Sequence, residues 1–380
     1  MINVRVIASA LRVLAGGELA RYHSSRVSEV ERFELEMQNL LRVRHVLGVN
    51  SGTSALICAL VGCGIGPGDE VLVPAYTWVA TASAPLAVGA VPVLTEINET
   101  LTIDPEDIRQ KISPHTKAII VVHMLNLVCD MDAILAIAKE HNLIVIEDAC
   151  QAVGVTYRGR RCGTMGDAGA FSFNVLKNIQ AGEGGAVLTN SQRAYTRALM
   201  YHDVGSYIRA GRADDPSEPL FTGQNYRMTN LAAAILRAQI PGLDKKLKRR
   251  RDRRRYWLDK LSGSFGNRIK VSPHNDPDSA VGITVYFDDP EEARVFGSQR
   301  GITRLIDTDR HIYTNWLSIR SGVTMHPKLD PYAWAPRNDV RIREDSCPQT
   351  LQILERTCDI KLMPEIPTLV YRQVVGKTKR

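Results

Sequence analysis

Four stretches of this 380-residue sequence carry side chains that could do chemistry together. Lys177 stands in FSFNVLKNIQAGEGGAV, after an apolar β-type run and before a glycine-rich turn. A lysine that acts as a nucleophile must spend time neutral, which semi-enclosed cationic surroundings promote. Taken alone, a lysine before a loop is ordinarily a solvated side chain. Glu183-Gly184-Gly185 asks for backbone freedom that packing alone seldom requires. Asp148 closes the run LIVIED. A carboxylate at the carboxyl end of a strand can hold a ring nitrogen protonated, because a nearby opposite charge favours the charged form. By itself Asp148 serves equally well as a metal ligand or a helix cap. Asn50-Ser51-Gly52-Thr53-Ser54 follows one strand-like run and opens a helix. Its small residues let backbone N–H groups approach an anion, and the helix N-terminus adds a partial positive charge; a plain strand-to-helix turn reads the same way. Trp78, in PAYTWVATA, follows another run and either fills core or stacks on a planar ring. An anion cup, a stacking aromatic, a carboxylate for a ring nitrogen and a later lysine, all after strands of one sheet, describe a site for pyridoxal 5′-phosphate.

Those positions need a framework that brings strand ends together. Ser28 and Glu31 form a capping box ahead of Val30, Phe33, Met37, Leu40 and Leu41 at helical spacing. Beyond this helix, the runs VLGV, VLVP, VPVL, AIIVV, LIVIE, AGAFSF and GAVLT alternate with helical stretches, including one over 131–141. Continuous apolar strands separated by helices predict an α/β fold, with a mainly parallel sheet covered on both faces. In such sheets ligands sit beyond the carboxyl ends of the strands, where Ser54, Trp78, Asp148 and Lys177 all fall. From about residue 245 the texture changes to a polar helix over 243–261, shorter strands near 269 and 282–287, a helix start at DDPEEARVF and a late helix in CPQTLQILERT. The expected division is a large cofactor-binding domain over 1–244 and a smaller C-terminal α/β domain over 245–380, joined by that polar helix.

The motifs NSGTSAL, GIGPGDEVLVPAYTWVATA, DMD, IEDACQAVG, GDAGAFSFNVLK with GEGGAV, and NYRMTNLAAAI occur in an order that resembles the DegT/DnrJ/EryC1/StrS family. These are fold-type I, pyridoxal-phosphate-dependent sugar aminotransferases. The resemblance is dense over about residues 28–260 and looser through DTDRHIYTNW and CPQTLQIL. It implies that Lys177 forms the internal aldimine and then shuttles the proton, and that Asp148 partners the pyridine nitrogen. It also implies that Gln151 contacts the phenolic oxygen, that Thr53, Ser54 and Ser172 hold the phosphate, and that Trp78 stacks on the ring. Asn225 matches an asparagine that reaches the phosphate across a dimer interface, so a homodimer with shared active sites is expected. His311, Tyr313 and Trp316 are candidate substrate contacts, with core packing an equal alternative. The implied reaction moves an amino group from glutamate or glutamine to a nucleotide-linked keto sugar or a keto cyclitol.

Two departures bear on that expectation. Where the family often has a segment like VHLYGxPADMD, this chain has VHMLNLVCDMD, with Leu125, Asn126 and Val128 in place of Tyr, Gly and Pro. A non-sugar ketone or amino acid as substrate is the alternative this loop raises. Pro85 falls inside a predicted helix, where it should kink or shorten it. Lys177 itself separates the chain from the family's dehydratase branch, which carries histidine at that position.

Forty-eight basic and 41 acidic residues give a net charge of +7, yet Lys245–Arg255 alone, KKLKRRRDRRR, contributes +8. A nucleic-acid-binding regulator is therefore the remote alternative, resting on one segment without a separate reading module. Composition excludes disorder as the main state, with 44% hydrophobic and 23% charged residues. The uncharged run over 71–95 is broken by Pro74, Pro85, Gly89 and Pro92 and reads as strands and a helix, not a membrane span. Residues 1–20 do not read as a signal peptide. Seven cysteines without a C-x-x-C pair read as free thiols of a reducing cytoplasm, with no metal site expected.

Overall fold

The computed structural model describes residues 3–22, 27–206, 218–264, 269–337, 339–366 and 371. Its strands are β1 (His45–Val49), β2 (Glu70–Pro74), β3 (Val91–Thr95), β4 (Thr116–Val122), β5 (Ile144–Asp148), β6 (Thr156–Tyr157), β7 (Arg160–Arg161), β8 (Ala168–Ser172), β9 (Gly185–Thr189), β10 (Lys270–Val271), β11 (Thr284–Tyr286), β12 (Ile302–Arg304) and β13 (Thr357–Ile360). Helices α1 (Val4–Gly16) to α6 are completed by α2 (Glu29–Leu41), α3 (Gly52–Gly62), α4 (Ala80–Ala87), α5 (Pro105–Lys111) and α6 (Met131–His141). They are followed by α7 (Gln192–His202), α8 (Asn230–Arg237), α9 (Leu243–Ser264), α10 (Pro290–Gly297), α11 (Leu317–Arg320) and α12 (Pro348–Glu355).

The large sheet has seven strands in the order β1-β9-β8-β5-β4-β2-β3. Every pairing among β8, β5, β4, β2 and β3 is parallel, and β9 alone runs against both of its neighbours. Alternation along each strand feeds two cores. Val46, Leu72, Ile119, Val121, Val145 and Phe171 face one side with α2 and α6, while Leu47, Val73, Ile120, Ile146 and Val187 face α3 on the other. Two buried faces explain why the strands read as continuous apolar runs.

Local signals set the helix bounds. Ser28 Oγ accepts the Glu31 N–H at 3.1 Å and Glu31 returns the bond to the Ser28 N–H at 2.8 Å, which starts α2 where the capping box predicts. Pro85 lies in the last turn of α4, which ends at Ala87 after eight residues, so the helix is shortened. A buried ion pair ties the N-terminal segment to the sheet: Arg21 meets Glu34 at 2.7 Å and donates to the Gly48 carbonyl at 2.9 Å. Removing one partner would leave the other charge buried and unpaired. Arg21→Ala should cost about 3–5 kcal/mol, read as a lowered urea midpoint; an unchanged midpoint would show the pair to be idle.

The second sheet has four strands, ordered β10-β11-β13-β12, all antiparallel. Trp257 of α9 packs there with Val285, Phe296 and Cys358. The intervening segment behaves differently from the expected small domain: Leu305, Ile312, Tyr313, Trp316, Ile342 and Leu354 join the core beneath α3 of the large sheet. The basic segment lies in α9, and part of it is structural. Arg250 Nε donates to the Val281 carbonyl at 3.0 Å, Arg254 Nε to Gly282 at 3.1 Å, and Arg253 to the carbonyls of Leu362, Met363 and Ile366. A guanidinium offers five donors, which suits it to tie a helix to irregular backbone. Among the described residues no helix is long and apolar enough to cross a membrane, and all seven cysteines are free.

Candidate active site

The site is built at the carboxyl edge of the large sheet. β1 delivers Asn50 to the start of α3, where Ser51 Oγ caps the Ser54 N–H at 3.0 Å. Ser54 Oγ in turn donates to Asn50 Oδ1 at 2.6 Å. Capping takes up one of the first-turn donors and leaves the Gly52 and Thr53 N–H groups at an open helix start. Space there is made by glycine: a Cβ on Gly52 would stand 2.7 Å from the Ser172 Cβ and 3.0 Å from the Cys150 sulfur. Gly185 is needed for the same close approach, since its Cβ would lie 2.1 Å from the Ser51 carbonyl oxygen. That contact explains the glycine that opens β9, and it brings the ends of β1, β8 and β9 around one cup.

Asp148 and Glu147 point to opposite faces of β5 and do different work. Asp148 is 5% exposed; its Oδ2 accepts the Thr81 hydroxyl at 2.7 Å and its Oδ1 the Cys150 N–H at 3.2 Å. Thr81 is also 2.7 Å from the Thr77 hydroxyl, so a short relay from the start of α4 fixes the carboxylate. Glu147 is fully buried on the other side. It accepts N–H groups of Gly163, Met165 and Gly166 and the ring of His123 at 3.0 Å. His123 Nδ1 accepts the Cys129 N–H at 3.2 Å, so Nε2 is the nitrogen that donates to Glu147. Burial, reinforced by the Asp148 carboxylate, pushes the Cys150 thiol well above its ordinary range. Cys150 therefore stays a neutral thiol at the rim of the cup.

Lys177 follows β8 in a turn closed by its own N–H to the Asn174 carbonyl at 3.0 Å. Its ammonium is close enough to lower both Cys150 and His311 electrostatically. Trp78 remains 39% exposed, with its ring 5.1 Å from the His311 ring and the Arg310 guanidinium 5.1 Å over it. The 310–313 segment reaches this place by pairing with the Trp78 turn: Thr77 N–H donates to the His311 carbonyl and Val79 N–H to Arg310, at 2.9 and 3.1 Å. Burial first, then the positive charge of Lys177, hold the His311 imidazole down at about 4. The unfolded chain therefore takes up that proton first. The contribution of His311 to stability is complete above about 6.5 and is lost as the pH falls toward 4. His311→Gln should flatten the acid limb of a urea-stability profile across that window; an unaltered limb would refute the assignment.

The departing loop is part of this arrangement. Leu125 and Asn126 both adopt the left-handed region, with φ of 54° and 64°. Glycine is favoured in that conformation, and asparagine tolerates it. Leu125 N–H donates to Gln151 Oε1 at 3.0 Å, and Asn126 Oδ1 accepts from Asn178 Nδ2 at 2.8 Å. The substitution thus ties the loop to the residue that follows Lys177.

Ser54, Trp78, Asp148, Gln151, Ser172, Lys177 and His311 lie around this edge, with Thr53 exposed on the first turn of α3. Tyr313 and Trp316 do not line it. They are 0% and 1% exposed, and their polar atoms bond to the Glu344 and Arg310 carbonyls at 2.6 and 2.9 Å, so both are packing residues. Asn225 stands on a segment beside β1, where the adjoining Tyr226 carbonyl accepts the Asn50 N–H at 2.8 Å and Asn225 Oδ1 accepts the Arg227 N–H at 3.5 Å. Thr77, Thr81, Arg310 and Asn178 escape a reading of the sequence. Only the i, i+4 spacing of the two threonines in PAYTWVATA carried a signal for any of them.

The donor set fits pyridoxal 5′-phosphate: open N–H groups and a cup that a Cβ would fill suit the phosphate. A fixed carboxylate suits a ring nitrogen, an exposed aromatic suits the ring, and a primary amine suits the aldehyde. With the sheet order, these features define the fold-type I pyridoxal-phosphate transferases. The sequence profile of the DegT/DnrJ/EryC1/StrS aminotransferase family matches residues 7–378, and the chain belongs to that family; it is a pyridoxal-phosphate-dependent aminotransferase. It is 41% identical over 331 residues to the GDP-perosamine synthase of Caulobacter vibrioides, covering 84% of this chain and 83% of that protein. It is 38% identical over 263 residues to the L-glutamine:2-deoxy-scyllo-inosose aminotransferase of Micromonospora echinospora, which covers 66% of this chain and 61% of the relative. Among solved structures, S. venezuelae DesV in complex with a ketimine intermediate superposes with a TM-score of 0.76 at 31% identity, over 98% of this chain and 92% of DesV.

Proposed function

We propose that this enzyme transfers the amino group of glutamate or glutamine to the keto carbon of a nucleotide-linked sugar or a keto cyclitol. The convergence of Lys177, Asp148, Trp78 and the open start of α3 at one sheet edge carries this reading. The similarity to a GDP-perosamine synthase and an inosose aminotransferase supports the acceptor class. When bound, the cofactor supplies an electron sink for the negative charge left on the donor's Cα. Asp148, fixed by Thr81 and the Cys150 N–H, holds the ring nitrogen protonated. Lys177 Nζ would be the attachment point and, as a free amine, the base that takes the donor's Cα proton and the acid that delivers it to the cofactor carbon. The Gly52 and Thr53 N–H groups, with Ser54 and Ser172, hold the phosphate; Trp78 covers the ring and Gln151 reaches the phenolic oxygen. His311, uncharged at neutral pH, stands against Trp78 within electrostatic reach of Lys177 and would contact the substrate.

The active form is a homodimer in which Asn225 serves the partner's phosphate cup. Val4, Ile7, Leu11 and Leu14 leave an exposed apolar stripe on α1, and Val175 and Leu176, just before Lys177, are 60% and 87% exposed. Apolar surface of this kind beside a catalytic lysine favours cover by a second copy. Free thiols suit a reducing cytoplasm.

A half-reaction screen tests the proposal. The purified enzyme is converted to its pyridoxamine form with glutamate or glutamine and then offered nucleotide-linked keto sugars, keto cyclitols or free keto acids. Return of the visible absorbance with a sugar or cyclitol is expected. Return only with a non-sugar ketone would instead favour the second reading, which the Leu125–Asn126 loop motivates. No return with any acceptor would overturn the acceptor class proposed for this site.

A further inference from the structure

Most of the bases of α9 that have a described partner hold the fold together, and Lys245 and Arg249 stand apart from them. Arg250, Arg253 and Arg254 bond to backbone carbonyls, while Lys248 and Arg255 pair with Asp252 at 3.2 and 3.4 Å. Lys245, Lys246 and Arg249 instead line a cavity of about 380 Å³, together with Arg5 of α1. Lys246 is neutralised by Glu365 at 2.7 Å. Among the described residues Arg5, Lys245 and Arg249 have no carboxylate within ion-pair reach. Lys245 and Arg249 are four residues apart on one face of the helix, a like-charge spacing that destabilises a helix unless an anion lies between them.

The cavity also has an apolar wall. Ile179, Pro241 and Leu243 line it, and its size falls within the about 300–1,000 Å³ of small-molecule sites. Cations on one side and an apolar wall on the other match a ligand with a multiply charged anionic end and a planar body. Lysine and arginine are the phosphate-binding side chains, arginine through paired N–H groups. We propose that this cavity is a second ligand site, which takes a nucleoside diphosphate with its phosphates between Arg5 and the Lys245–Arg249 face of α9. Asn178 and Ile179, the two residues after Lys177, form part of its lining. Gln239, another lining residue, grips Gln180 from both sides, accepting its N–H at 3.2 Å and donating to its carbonyl at 2.7 Å. An occupant therefore bears on the segment that carries the catalytic lysine, either as the nucleotide part of the acceptor or as a free nucleotide that adjusts the loop.

Titration calorimetry of the holoenzyme with GDP, UDP, dTDP and inorganic pyrophosphate, at near-physiological salt, tests the site. Saturable binding of at least one nucleoside diphosphate is expected, weakened by about tenfold or more in the Lys245→Ala/Arg249→Ala double variant. The Lys248→Ala/Arg255→Ala double variant removes the same charge from the same helix outside the cavity and should bind as the parent does. Cofactor absorbance should be the same in all three proteins. Absence of saturable binding to the parent, or equal weakening in both double variants, would overturn the site. Kinetics then separate the sources. A raised KM for a nucleotide-linked acceptor at constant kcat marks the substrate's own nucleotide, and a change in kcat on adding free nucleotide marks an effector. Because the binding readout is independent of turnover, failure of the proposed acceptor class would leave this result standing.

Discussion

Replacing Lys177 with alanine should abolish turnover, by at least about 10²–10⁴-fold, the range expected when a positioned acid–base group is lost. Two roles fall on one nitrogen, attachment of the cofactor and transfer of the donor's Cα proton, so the loss should sit at the upper end. The visible absorbance of the lysine-bound cofactor should vanish with it. Folding should not change, because Lys177 lies on a turn held by its own backbone N–H to Asn174 and not by the side chain. Equal urea midpoints for parent and variant would confirm that the chemistry, not the scaffold, has been removed. Lys177→Arg makes a sharper control. It keeps the positive charge that acts on Cys150 and His311, but the guanidinium neither adds to an aldehyde nor gives up a proton readily. Substantial turnover by either variant would require another base, and His311, in contact with Trp78, would be the one to replace next.

The residues legible in the sequence share a physical reason. Ser54, Trp78, Asp148 and Lys177 each come just after an apolar run, and parallel strands gather those points at one edge. Asp148, two residues beyond Ile146, shares its face of the sheet, so alternation alone separates it from Glu147. What stayed hidden depends on contacts between segments far apart in the chain. His311 meets Trp78 only because 310–313 adds itself beside 75–79, and nothing local announces that pairing. The same pairing buries Tyr313 and Trp316 in the core under α3, where an aromatic-rich segment near the site had been as good a candidate for substrate contact. The basic run was legible as charge but not as function: which arginines reach carbonyls and which face a cavity is decided by what packs against α9. Asn126 was visible as a departure, yet its left-handed backbone and its bond to Asn178 appear only once the loop is folded.

Asp148→Asn should be the second most damaging change, and it separates charge from shape. Asparagine keeps the volume: its oxygen can accept the Cys150 N–H, and its NH2 can donate to the Thr81 hydroxyl, which then turns its own proton toward Thr77. What it lacks is the negative charge that favours a protonated ring nitrogen. Turnover should fall by about 10²–10³-fold in kcat, the usual loss when a group that stabilises developing charge is removed, while the cofactor stays attached to Lys177. Thr81→Val gives the complementary loss. It leaves the charge and removes the 2.7 Å bond that aims it; hydrogen bonds to charged groups contribute about 1.5–3 kcal/mol, or roughly 10–150-fold. The order Asp148→Asn below Thr81→Val below parent, with the absorbance maximum displaced most in Asp148→Asn, is what an electrostatic role requires. If Asp148→Asn turned over as well as Thr81→Val, orientation alone would account for the carboxylate, and the proton on the ring nitrogen would have to be held by another group. The buried surroundings argue against that outcome: Asp148 is 5% exposed at the end of β5, and Glu147, the adjacent carboxylate, is committed to the opposite face by its bonds to Gly163, Gly166 and His123.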